Sequence, residues 1–244
     1  MKKKLCCFVS IGVLLCVLAS NSASQGNPGL VMKQRQRYTL SIALEFTRKN
    51  RNVAERALSV LADVGPNAYA TGFIVGDGLV MTAYHVVSGR LSTSKRKLLG
   101  FKPDDDLQVR AYVGGCPAKV VKVDKDADLA LLSVCGSSKE VKRPTFQLDP
   151  AIDEQIILIA QPHEAKFLRK GIFQGPYIFQ GRQYWSIKVD AFDGFSGSPV
   201  YNHQGDVVGI FCGYDSTEGL AFISPGAKAQ RFLAEWDAGI GATP

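Results

Sequence analysis

The run Asp190-Ala191-Phe192-Asp193-Gly194-Phe195-Ser196-Gly197-Ser198-Pro199-Val200 sets one serine between two glycines, with apolar, strand-like sequence on either side. Gly194 and Gly197 allow a tight turn with positive φ that projects the Ser196 hydroxyl. The same turn aims the N–H groups of Gly194 and Ser196 at one point. Two converging donors beside a hydroxyl suit a nucleophile whose reaction builds negative charge on a carbonyl oxygen. Any tight turn has a similar composition, so a catalytic reading needs partners for the serine elsewhere in the chain.

Outward from that run the chain has a β texture. Short apolar segments separated by Gly, Pro, Asn and Asp fall at 57–64, 70–75, 79–82, 109–113, 118–123, 129–134, 155–160, 171–173, 184–189, 199–202, 207–211 and 221–223. About a dozen strands with no helix between them predict an all-β sandwich or barrel pair. The charged run Lys139-Glu140-Val141-Lys142-Arg143-Pro144 reads as the linker between two β halves, about 57–140 and 150–224. A last helix is expected over about 226–236, burying Phe232, Leu233 and Trp236, with a tail over 238–244.

The N-terminus differs in kind. Met1-Lys2-Lys3-Lys4, an apolar run from 5 to 19 and Ser20-Asn21-Ser22-Ala23 form the three parts of a secretory signal, so 1–23 is expected to be removed on export. The apolar run is shorter than the roughly 20 residues that span a bilayer as a helix. Over 24–56 a basic leader follows. From 36 to 50 the spacing of Leu40, Ala43, Leu44 and Thr47, with Ile42 and Phe46 beside them, predicts an amphipathic helix. It reads as a helix packed on the body with a solvated basic face; a membrane-surface contact or a regulatory arm is the alternative.

Charge supports this division. The whole chain has a net charge of +7, but the segment 24–56 carries seven basic residues against Glu45 and Glu55, whereas 57–244 carries 19 basic and 20 acidic residues. A basic terminus on a neutral body argues against a nucleic-acid-binding fold, which would place its basic patch on the domain face. Beyond the signal only Cys116, Cys135 and Cys212 remain. Export favours a disulfide. Segments 118–123 and 129–134 read as a hairpin turning near Lys125-Asp126, and Cys116 and Cys135 stand equidistant from that turn. They are expected to form a cross-strand disulfide contributing on the order of 3 kcal/mol, with Cys212 left as a thiol. No CxxC pair or Cys/His cluster exists, so neither a metal nor a cofactor is implied.

Only three histidines can serve Ser196 as a base. His163 and His203 lie in turn sequences and read as solvated loop residues. His85 follows the strand Leu79–Thr82 in a short apolar turn, Tyr84-His85-Val86-Val87, that holds an imidazole in place. Asp124, Asp126 and Asp128 compete to orient it; Asp128 directly precedes the strand Leu129-Ala130-Leu131-Leu132 and is the best anchored. The order His85, Asp128, Ser196 is that of chymotrypsin and not of subtilisin or the α/β-hydrolases.

At these residues the chain resembles the HtrA/Deg branch of the trypsin-like serine proteases. The stretches Thr71-Gly72-Phe73-Ile74-Val75 and Gly78-Leu79-Val80-Met81-Thr82-Ala83-Tyr84-His85-Val86-Val87 resemble its histidine segment. Asp128-Leu129-Ala130-Leu131-Leu132 resembles its aspartate segment, and Gly194-Phe195-Ser196-Gly197-Ser198-Pro199-Val200, followed by Gly205-Asp206-Val207-Val208-Gly209-Ile210, its serine segment. Ser-Gly-Ser-Pro-Val is also similar to secreted bacterial glutamyl endopeptidases. The resemblance covers about 57–237. It implies two six-stranded antiparallel β-barrels with the site in the cleft between them, flanked by an N-terminal helical extension and a C-terminal helix. It implies an exported endopeptidase acting on protein or peptide substrates, with His85, Asp128 and Ser196 catalytic and the Gly194 and Ser196 N–H groups as oxyanion hole. The alternative is a non-catalytic binding or chaperone-like protein on the same fold.

Three features depart from the branch. Phe195 stands where HtrA proteins usually have asparagine and digestive enzymes an acid, so activation by a new N-terminus pairing with that acid is not expected. The chain stops without the PDZ domain that many HtrA proteins carry, so sensing through such a domain is not expected. Asp190 either reads a basic P1 residue, as in trypsin-like digestive enzymes, or is the structural aspartate of HtrA proteins with two residues deleted. Ile210, Phe211, Cys212 and Gly213 are expected to form the strand edge that pairs with an extended substrate.

Overall fold

A computed structural model describes residues 28–50, 65–136, 141–215 and 217–239. The first described element is a helix, α1 (Pro28–Tyr38), which passes directly into a strand, β1 (Thr39–Arg48). The helix expected over 36–50 is therefore mostly strand. Ile42, Leu44 and Phe46 alternate inward, at 0%, 4% and 4% exposure, while Ala43 and Glu45 are less buried. The spacing at positions 40, 43, 44 and 47 fits a helical face, but a period of two fits the same segment. Pairing with neighbours on both sides decides in favour of strand. The basic residues assigned to the helical face are used locally, since Arg48 pairs with Asp105 at 2.8 Å and Lys49 with Asp106 at 2.9 Å. A basic N-terminal helix is present, but as α1 over Pro28–Tyr38, carrying Lys33, Arg35 and Arg37.

β2 (Ala68–Gly76), β3 (Leu79–Ala83), β4 (Leu107–Val113), β5 (Cys116–Asp124) and β6 (Leu129–Ser133) complete the first barrel. Its strand order is β1-β2-β3-β6-β5-β4, closed by β4 on β1. The barrel thus begins at 39 rather than near 57. The strand expected at 57–64, the signal over 1–23 and most of the tail lie outside the described residues. Two short helices, α2 (Tyr84–Val87) and α3 (Thr93–Leu98), interrupt the connection from β3 to β4. Cys116 and Cys135 are bonded with Cα atoms 5.9 Å apart, and Cys212 is a buried thiol.

β7 (Gln155–Ala160), β8 (Phe167–Phe179), β9 (Arg182–Lys188), β10 (Pro199–Tyr201), β11 (Val207–Asp215) and β12 (Leu220–Pro225) form the second closed barrel, ordered β10-β11-β12-β9-β8-β7. Each barrel has its own apolar interior. A third cluster joins them: Phe73, Met81 and Leu131 from the first barrel meet Ile159, Tyr201 and Ile210 from the second, with Met32 of α1 and Phe232 of the C-terminal helix α4 (Gly226–Asp237). That shared core fixes one barrel against the other, and with them the cleft between.

Lys122 of β5 adds a polar tie from the first barrel to α4. Its side chain is 5% exposed, and Nζ donates to the Phe232 carbonyl at 3.0 Å and to Glu235 Oε2 at 2.9 Å. Lys122→Met keeps the apolar stem but removes both of these charge-assisted hydrogen bonds, and is expected to cost about 2 kcal/mol of stability, read from urea unfolding.

Candidate active site

Three segments from two barrels meet in the cleft. The first is the end of the β5–β6 turn, which Asp124 builds by accepting the Asp126 and Ala127 N–H groups at 3.0 and 2.9 Å. Asp124 is thus occupied in the turn, and Asp126 is exposed. Asp128 follows at φ 54° and 7% exposure. Left-handed backbone is strained for most residues and easiest for Asp and Asn after Gly. This conformation turns the Asp128 carboxylate under α2, where Oδ1 accepts the His85 backbone N–H at 2.9 Å and Oδ2 faces His85 Nδ1 at 2.8 Å. The Asp128 carbonyl also accepts the Tyr84 N–H at 3.0 Å.

α2 is a single turn, held by buried Val86. Asp128 Oδ2 can only accept, so the proton of a neutral imidazole sits on Nδ1 and Nε2 is left to accept. Ser196 Oγ lies 2.8 Å from that Nε2. The His85 side chain is 40% exposed and that of Asp128 only 10%. The carboxylate is thus shielded from water while the imidazole faces the cleft.

Ser196 sits on a turn whose backbone is fixed from both barrels. Gly194 and Gly197 have φ values of 90° and 84°. Within the second barrel, Gly197 N–H donates to the Phe211 carbonyl at 2.8 Å and Phe211 N–H to the Ser198 carbonyl at 2.8 Å. From the first barrel, the Thr71 N–H donates to the Ser196 carbonyl at 3.0 Å, and Thr71 Oγ1 donates to the Gly194 carbonyl at 2.9 Å. A Cβ on Gly197 would run into Thr82 Oγ1 and the Thr71 carbonyl, so glycine here lets the barrels close on each other. Thr71 lay inside the histidine motif without an assigned role. Its two bonds to the turn, and a third in which Thr71 Oγ1 accepts the Gln161 N–H at 3.0 Å, cross between barrels, and no local pattern announces such a contact.

Phe195 is fully buried in the second barrel. Its ring lies 4.2 Å from that of Phe192 and 5.7 Å from that of Phe167, measured between centroids. The residue that departs from the HtrA pattern therefore anchors the turn from below and does not obstruct the cleft.

The expected substrate edge is shorter than its sequence suggested. Ile210 pairs with Pro199 on one side and Ser224 on the other, and both backbone groups of Phe211 bond the Ser196 turn. Among the described residues, Gly213, Tyr214 and Asp215 pair only with β12, which leaves their outer edge open. Asp190 is exposed. His163 stacks edge-on against Tyr69 at 4.4 Å, and His203 is exposed in a turn. Neither bonds Ser196.

Cys212 lies under the site, with Sγ 3.4 Å from the Ile210 carbonyl. Burial, and then the nearby Asp128 carboxylate, push its thiol well above the ordinary range. Burial likewise raises the Tyr184 hydroxyl to about 12 and the fully buried Tyr201 hydroxyl further. These protons leave the unfolded chain first, so the native state holds more protons above about pH 9 and stability falls as pH rises. The melting temperature should decline from about pH 9 upward; a flat or rising profile to pH 11 would contradict these placements.

Two closed six-stranded barrels with an aspartate–histidine–serine chain across their cleft define the architecture of the chymotrypsin-like serine peptidases. The model of the trypsin-like peptidase domain matches residues 70–210, more than half of the chain, and the chain belongs to that family. It is 29% identical over 184 residues to the serine protease HTRA1 of Xenopus tropicalis, a match covering 70% of this chain and 36% of that protein. It is 24% identical over 153 residues to the glutamyl endopeptidase of Staphylococcus epidermidis, covering 59% and 53%. The chain thus spans about a third to a half of the length of these relatives. The active form of the Rv3671c protease from M. tuberculosis shares the fold, with a TM-score of 0.60 at 21% identity over 89% of this chain and 88% of that one.

Proposed function

We propose that the chain is a serine endopeptidase working through an acyl-enzyme. Ser196 Oγ attacks the scissile carbonyl and passes its proton to His85 Nε2. Asp128 holds the imidazole in the required tautomer and stabilises the imidazolium once it forms. The Gly194 and Ser196 N–H groups receive the oxyanion. His85 then protonates the leaving amine, and a water deprotonated by the same nitrogen releases the acyl group. The observation that carries this reading is the unbroken relay of 2.8 Å contacts, Asp128 Oδ2 to His85 Nδ1 and His85 Nε2 to Ser196 Oγ. Burial of Phe195 removes the main argument for a binding-only protein. The substrate is an extended polypeptide whose acyl side adds to the open edge at Gly213–Asp215.

The basic and apolar run over 1–23 supports export, and the paired Cys116 and Cys135 suit an oxidising compartment. Digestion of an unfolded protein by the purified chain tests the activity. Fragments should appear, and cleavage should stop after fluorophosphonate treatment. Intact substrate with well-folded protein would contradict the proposal.

A further inference from the structure

A cavity of about 500 Å³ adjoins the site, with Ser196, Gly194 and His85 among its lining residues. Most of its apolar wall belongs to the first barrel and to the α3 region, including Leu44, Phe46, Ala68, Leu91, Leu98 and Leu99, and Pro162 of the second barrel completes it. The volume falls within the ~300–1,000 Å³ of small-ligand pockets and exceeds what a single ordered water needs. Leu98 stands at its border 83% exposed.

Its position relative to Ser196 indicates which part of a substrate would reach it. The open strand edge at Gly213–Asp215 belongs to the second barrel, whereas most of the cavity wall is built by β1, β2 and the α3 region of the first, with Pro162, His163, Asp193 and Gly194 as the second barrel's share. A polypeptide whose acyl side lies along the second barrel carries its leaving-group side across Ser196 and over the first. The cavity is thus continuous with the reacting centre on the leaving-group side. The charges at the rim are Arg90, Lys95 and Asp193, and Lys95 pairs with Asp193 at 3.0 Å. The surplus is positive, which disfavours a cationic occupant.

We propose that this cavity is a specificity pocket that takes a large apolar or aromatic side chain from one of the two residues following the scissile bond. The proposal rests on Ser196 being the nucleophile, and it names the substrate feature that the site selects. Since the leaving group departs before deacylation, the pocket acts on acylation alone. Its selectivity therefore shows in kcat/KM and not in the hydrolysis rate of a shared acyl-enzyme.

The test is a peptide series with one acyl sequence and Gly, Ala, Leu, Phe or Lys at each of the two following positions. At one of them, kcat/KM should rise about 10- to 100-fold from Gly to Leu or Phe, the range expected for burying one such side chain. Lys should fall below Leu. Ala68→Trp, which fills the cavity, and Leu98→Asp, which makes its border polar, should each reduce that preference several-fold, with thermal melting showing that the variants fold. If Ala68→Trp does not fold, Leu98→Asp at its exposed position carries the comparison. A series flat within about twofold in protein whose Ser196 accepts a fluorophosphonate overturns the pocket while sparing the nucleophile. A preference unchanged in the folded variants also overturns it. Failure of Ser196 to label overturns the nucleophile assignment and the pocket's role with it.

Discussion

Ser196→Ala will lower kcat for peptide hydrolysis by about 10⁴- to 10⁶-fold, with little change in KM or in melting temperature. The loss is large because the nucleophile and its base act as a unit, so removing one leaves only oxyanion stabilisation and substrate binding. Stability should hold because the turn is fixed without the hydroxyl. Thr71 secures the carbonyls of Gly194 and Ser196, Phe211 bonds the backbone of Gly197 and Ser198, and Phe195 fills the second barrel. Alanine alters none of these. Proteolysis within tenfold of the parent, measured on protein freed of contaminating proteases by titration with an active-site label, would exclude Ser196 as nucleophile.

Asp128→Asn will cost about 10³- to 10⁴-fold in kcat while preserving the fold. Asparagine is nearly isosteric and tolerates the left-handed backbone found at φ 54°. Its carbonyl oxygen can still accept the His85 backbone N–H, as Asp128 Oδ1 does at 2.9 Å. The amide –NH₂ then faces Nδ1 where a carboxylate stood. It forces Nδ1 to accept, moves the imidazole proton to Nε2, and leaves Ser196 Oγ without a base. The negative charge that would stabilise the imidazolium is lost as well. A kcat loss below about tenfold would show that Asp128 serves only to hold α2 in place.

These two predictions could be framed from sequence because each of the three segments has its own local signal. The glycines around Ser196 mark the turn, Ala83–Val87 marks a rigid histidine, and Asp128 stands directly before an unbroken apolar strand. Neither the wall that surrounds the site nor its ties could be read in this way. β1 carries two overlapping periodicities, and only its register with β2 and β4 selects the strand. β8 runs over 13 residues, yet only about 171–173 read as strand, because Arg169 and Lys170 break its start and Gln174, Gly175 and Pro176 break its apolar pattern further on. Lys122 reads as a surface lysine until α4 folds over it. Thr71 and Gly197 matter through a contact between barrels 126 positions apart in sequence. In each case the deciding interaction is long-range, and a local pattern holds no trace of it.

Phe195 shows the converse. From sequence it was the main departure from the HtrA pattern; in the fold it is an apolar anchor, packed among Phe167, Phe192 and Phe211. An asparagine or acid there would need hydrogen-bonding partners, whereas Phe195 holds the turn by burial alone. The Ser196 turn of this chain is therefore held by packing below and by Thr71 above.

The most direct test of the account is covalent labelling with a fluorophosphonate, followed by proteolytic mapping of the modified residue. The relay from Asp128 through His85 predicts one equivalent of label on Ser196, lost in His85→Ala protein that still melts cooperatively. Absence of label in the folded parent chain, or stoichiometric label on any other residue, would contradict it.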